Sequence, residues 1–72
     1  MLEKHAEVIA HAYSGAGVYT EAVPTDRLGT DWHVRILRYD DTLVVLDDDG
    51  VAEYESAEAF HGGHEPERYL EF

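Results

Sequence analysis

Cysteine is absent from this chain, and so are asparagine and glutamine. Without cysteine there is no disulfide framework and no thiolate metal site, and without asparagine there is no N-glycosylation acceptor. Lysine occurs once, at position 4, and Lys plus Arg number 5 against 16 Asp plus Glu. So few cations exclude the basic patch that neutralises nucleic-acid phosphates, and they exclude docking on anionic lipid. No apolar run approaches the ~20 residues of a membrane span, and the charged start LEKHAEVIAHAY is unlike a secretory signal. The expected location is the cytoplasm.

The chain has 72 residues and a formal net charge of −11. Its length corresponds to one α+β domain over residues 1–72, near the size where a single core is only just sufficient. Frequent Val, Ile, Leu and aromatic residues oppose disorder. The charge therefore suits a clamp for a basic partner, a mimic of nucleic acid, or life in concentrated salt. In the last case repulsion between carboxylates is screened over ~3 Å at about 1 M. A single lysine, abundant Asp and Glu, many Ala and Val and no amides together resemble the proteins of salt-loving archaea. The resemblance covers composition and no motif; it implies cytoplasmic residence at high potassium chloride and no particular activity.

The stretch from Trp32 to Tyr54 carries the densest β signal. Asp40-Asp41 separates WHVRILRY from TLVVLD, and Asp49-Gly50 separates that run from VAEY. Asp-Gly between β-rich segments predicts a tight type I′ hairpin, because glycine and aspartate tolerate positive φ. Upstream, Leu2, Ala6, Ile9, Ala10 and Tyr13 fall on one stripe of a helix over 2–13. Ser14 and Gly15 end it, with Gly15 or Gly17 available for a left-handed cap. The Gly-Ala-Gly here closes a helix, whereas a phosphate loop follows a strand and opens one. VYTEAV at 18–23 is a further strand, stopped by Pro24, and PTDRLGTD is a loop. Ser56 is an N-cap for a short helix AEAF that Gly62-Gly63 ends, after which Pro66 starts another turn or the last residues add a strand. The expected fold is an N-terminal helix packed on an antiparallel β-meander of three to four strands, with a short C-terminal helix or tail.

Faces follow from the side-chain period of two. A two-residue turn at Asp40-Asp41 puts Tyr39 opposite Thr42 and Ile36 opposite Val45. Trp32, Val34, Ile36, Leu43, Val45, Ala52 and Tyr54 then share the face expected to receive the helix. Leu37, Tyr39, Val44, Leu46 and Val51 share the other, among His33, Arg35, Glu53 and Glu55. That second face is too apolar to be freely solvated. Either the C-terminal segment covers it or it forms an interaction surface for a second copy of the chain.

Three constellations have the residue types for chemistry. His61-Gly62-Gly63-His64 has the spacing of a labile zinc site, set against a solvated tail. Asp47-Asp48-Asp49-Gly50 offers oxygen ligands but lacks the twelve-residue loop and terminal glutamate of a calcium site, so it reads as a turn. Ser14 and Ser56 sit at helix ends, outside any nucleophile-elbow pattern, and no catalytic set is assigned. His33, Arg35 and Glu53 are expected to form a cross-strand polar cluster. The sequence thus supports a non-enzymatic interaction or accessory module that binds a protein partner or self-associates, without cofactor. The alternative is a small zinc-binding protein using His61 and His64; a more distant reading is a ligand pocket beside Trp32.

Overall fold

A computed structural model describes residues 1–15 and 19–70. Helix α1 (Glu3–Ala12) is followed by β1 (Tyr19–Pro24), β2 (Trp32–Leu37), β3 (Leu43–Asp47) and β4 (Gly50–Tyr54), then α2 (Ala57–His61) and β5 (Arg68–Leu70). The five strands form one antiparallel sheet in the order β1-β2-β3-β4-β5. The α+β class and the N-terminal helix on a meander agree with the sequence reading; the sheet has five strands where three to four were expected. The fifth is RYL, which the Glu53–Arg68 pairing recruits to the β4 edge. The strand expected at 18–23 runs from 19 to 24, and its first position, Val18, lies outside the described residues.

Helix α1 lies across β1 and β2. Ala6 is fully buried, and Ile9, Ala10 and Tyr13 pack against the sheet as the stripe predicts. Leu2 departs from the stripe: it is the N-cap, with extended backbone, and is 73 % exposed. Met1 is buried in its place. Its N–H3⁺ and C=O both pair with the backbone of Trp32, at 3.0 and 2.8 Å, extending the ladder beside β2 where the β3–β4 turn has left it. Gly15 does not take the left-handed cap, and Gly17 lies outside the described residues.

The face assignment needs correction. Val34 pairs with Leu46, and Ile36 with Val44, one position away from the expected register. Arg38 N–H donates to Thr42 C=O (2.9 Å), so the loop holds three residues, Tyr39, Asp40 and Asp41. Asp41 sits in the left-handed region at φ 71°, the residue that closes a three-residue hairpin loop after a type I turn. Asp40 supports it by accepting from the Thr42 N–H and hydroxyl, at 3.1 and 2.6 Å. An odd change of register moves every following side chain to the opposite face. The core beneath α1 therefore joins Val34 and Ile36 to Val44 and Val51, with Trp32, Leu46 and Leu70 around them. Leu43, Val45, Ala52 and Tyr54 point the other way.

The β3–β4 turn has Asp48-Asp49 at its tip, with Asp47 opposite Gly50. Among the described residues Asp41 is the sole non-glycine with positive φ, so Asp49 does not adopt the type I′ conformation; Gly50 supplies the unusual angle, φ 130°. Asp49 N–H instead bonds the Asp47 carboxylate at 2.8 Å. The Ser56 hydroxyl caps α2 by accepting from Ala59 N–H (3.1 Å), as its sequence position predicts.

Candidate functional site

On the face away from α1, the sheet presents His33, Arg35 and Leu37 from β2, Leu43, Val45 and Asp47 from β3, and Ala52 and Tyr54 from β4. Helix α2 covers part of it, resting on β4. Phe60 is the contact: its ring meets Tyr54 edge-on at 4.9 Å and His33 at 6.2 Å, and the Arg35 guanidinium lies 5.0 Å from its centroid. This arrangement turns a short helix with no buried residue of its own into the roof of an open cavity of about 250 Å³. His33 and Val45 form its floor, Tyr54 and Phe60 its walls, and the carboxylates of Asp31, Asp47, Asp48 and Asp49 its rim.

His33 is 6 % exposed, so both ring nitrogens need partners. Arg35 Nε–H donates to Nε2 at 2.9 Å, which makes Nε2 the acceptor. Nδ1 then carries the proton and donates to the Thr25 hydroxyl, 2.7 Å away. A second proton would face the Arg35 donor. Burial first, and then the Arg35 charge, hold the His33 pKa below its ordinary 6.5.

Two rim carboxylates already hold a cation. The Met1 ammonium lies 2.6 Å from Asp31 Oδ1 and 2.8 Å from Asp48 Oδ2. Its pKa is raised above 8.0, chiefly by the hydrogen bond to Asp31 and then by that to Asp48.

Glu53 does not join His33 and Arg35. It lies on the α1 side, 7 % exposed, between two arginines: Arg38 Nη1 at 2.5 Å and Arg68 Nε at 2.8 Å. The Arg68 hydrogen bond, against desolvation and with help from Arg38, lowers its pKa below 4.5. The expected polar cluster is thus split across the sheet, again because β4 follows the register of β3.

The five residues expected to form an interaction surface do not lie together. Val44 and Val51 are buried in the core and Leu46 packs against it; Leu37 is on the opposite face, and Tyr39 stands in the turn, 82 % exposed. His61 and His64 are exposed on either side of Gly62-Gly63, with the His61 ring 5.4 Å from Phe60. Among the described residues no three His, Asp or Glu side chains gather as a metal site, and two imidazoles alone leave a tetrahedral ion incomplete. The cavity beside His33 escaped sequence reasoning, which looked for a pocket beside Trp32. Its signal was Phe60, an apolar residue in a short segment that had to land on some face. Among the described residues no helix is long and apolar enough to cross a membrane.

Compared with protein-family models, curated proteins and solved structures, the chain has no significant match in any of the three.

Proposed function

We propose that the chain is a non-enzymatic interaction module of a salt-accumulating cytoplasm, working through the open edge of β1, with a second copy as its first partner. The observation that carries this reading is that six-residue β1 forms one edge of the sheet. Thr25 N–H bonds Asp31 C=O at 2.7 Å, which sets the alternation along the strand. Tyr19, Glu21 and Val23 direct their amide groups toward β2, while Thr20, Ala22 and Pro24 direct theirs outward. The outward N–H groups of Thr20 and Ala22 invite an added strand.

Charge selects the register. A two-fold axis through Ala22 sets Glu21 of one copy opposite Val23 of the other, whereas an axis through Glu21 sets two carboxylates face to face, which is destabilising. With −11 on each copy, association belongs to concentrated salt, where the screening length falls to ~3 Å. That dependence agrees with the compositional likeness to salt-loving archaea. Sedimentation in about 0.05 M and about 2 M potassium chloride tests it: a dimer at high salt is expected. Val23→Lys, opposite Glu21 of the other copy, should tighten the dimer, and Val23→Glu should loosen it. A monomer in both salts, or equal effects of the two substitutions, would overturn the reading.

A further inference from the structure

We infer that the cavity roofed by α2 is a binding site for an alkylammonium group, an amine carried on a short aliphatic stem. The inference is independent of the β1 edge, which lies elsewhere on the sheet. Three features of the cavity agree on this ligand chemistry.

The inner part is apolar: the Tyr54 and Phe60 rings and Val45 give a stem the surface it needs to leave water. A volume of about 250 Å³ lies below the range that holds drug-sized ligands and suits a fragment of this kind.

The floor contributes no charge. His33 is held as the neutral Nδ1–H tautomer by Thr25 and Arg35, and the Arg35 guanidinium is committed to the His33 ring and the Phe60 face. An anion would find four carboxylates at the entrance and, inside, only the neutral Thr25 and Tyr54 hydroxyls, with no cation among the described residues free to balance it.

The rim has shown what it binds. Asp31 and Asp48 grip an ammonium, that of Met1, at 2.6 and 2.8 Å, with the Trp32 carbonyl as third acceptor at 3.0 Å. One amine on four carboxylates leaves an excess of negative charge at Asp47 and Asp49. Asp47 already accepts one N–H, from Asp49, and retains lone pairs for another donor. A ligand ammonium placed there would be anchored by charge-assisted hydrogen bonds with its stem against Phe60. Potassium ion satisfies the charge alone, tetramethylammonium has no N–H to donate, and 1-butanol has the stem without the charge. The alkylammonium alone uses both parts of the cavity.

The experiment is an NMR titration of the whole chain with n-butylammonium and 1,4-diaminobutane, at constant ionic strength. Potassium chloride, tetramethylammonium and 1-butanol serve as comparisons. Saturable shifts confined to His33, Val45, Tyr54 and Phe60 are expected for the two amines. Asp47→Asn/Asp49→Asn keeps the turn-forming acceptor, because an asparagine oxygen replaces the carboxylate, and should weaken binding about five- to tenfold for the loss of a charge-assisted contact at a solvated rim. Phe60→Leu should weaken it further while leaving the weak response to potassium unchanged. A tripeptide amide with one lysine and an acetylated N-terminus separates two sources of the group. Affinity equal to the diamine's would assign the cavity to a side chain of a basic protein, and tighter binding of the diamine to a free metabolite. Shifts that grow linearly with every salt would overturn the inference. So would equal binding of 1-butanol, or a double variant that binds like the wild type in a spectrum showing it folded.

Discussion

Asp41 decides which face of β3 and β4 meets α1, and its cost can be measured. At φ 71° an ordinary L side chain crowds its own carbonyl by about 1–2 kcal/mol, a cost glycine does not bear. Aspartate carries part of that strain, and a β-branched residue carries all of it. Substituting Asp41→Val and Asp41→Gly should therefore bracket the wild type. For a domain of this length, each kcal/mol moves Tm by roughly 4–8 °C, so the two variants should melt roughly 5–15 °C apart. Removing a carboxylate also relieves self-repulsion, which would blur the comparison at low salt. Thermal unfolding followed by circular dichroism in about 2 M potassium chloride suppresses that contribution, and Asp41→Asn isolates what remains, since asparagine tolerates the left-handed region equally well. If the valine and glycine variants melt together, the loop is not three residues long and the packing of Val44 under α1 is wrong. If Val melts lower and Gly higher, the register rests on this one backbone angle.

Val34 is fully buried, so Val34→Ala should destabilise by about 2–3 kcal/mol through lost transfer energy and a residual cavity; chemical denaturation with unchanged m-value checks it. Stability should fall in two stages on acidification. The folded state resists protonating His33, so stability declines as the pH drops through 6.5 toward the lowered folded pKa; below 4.5 the protonation of Glu53, whose folded pKa lies lower still, removes its pairing with Arg68 and Arg38. The unfolded chain binds more protons in both windows, which fixes the sign. His33→Gln should erase the upper stage and leave the lower; a single stage in the wild type would show that His33 is not held neutral.

Element types were legible because they rest on local chemistry. The Ala6-Ile9-Ala10-Tyr13 stripe, the Ser56 cap and the β-branched runs each act within a few residues. The sharing of one face by Trp32, Val34 and Ile36 was legible for the same reason, and so was that of Val44, Leu46 and Val51. What joined the two sets was one backbone angle in a turn whose residues, Asp40 and Asp41, suit loops of two or three residues alike. Both faces of β3 are apolar, Leu43 and Val45 on one and Val44 and Leu46 on the other, so the hydrophobic pattern could not choose between them. The errors about the two faces of the sheet descend from that choice. It placed Val44 and Val51 on a surface, put Glu53 beside His33, and hid the cavity that Phe60 completes. Leu2 was misplaced for a different reason: the helix period does not foresee Met1 pairing with the backbone of a strand, Trp32, remote in the chain.

Strand order has a consequence for how fast the molecule forms. From Asp47 with Gly50 to Val51 with Leu70, each rung of the ladder joins segments that follow one another in the chain. Closing a short loop costs little entropy, and its cost grows only logarithmically with length. Any hairpin can therefore form first and extend in either direction, without waiting for a crossover. With every strand paired to its sequence neighbour, the folding rate is expected above that of sandwiches and barrels of equal size, though Met1 must still reach Trp32 across the chain. A brief interval with unpaired edges matters most in the salt-rich setting proposed above, where screening leaves little repulsion to keep unfolded copies apart.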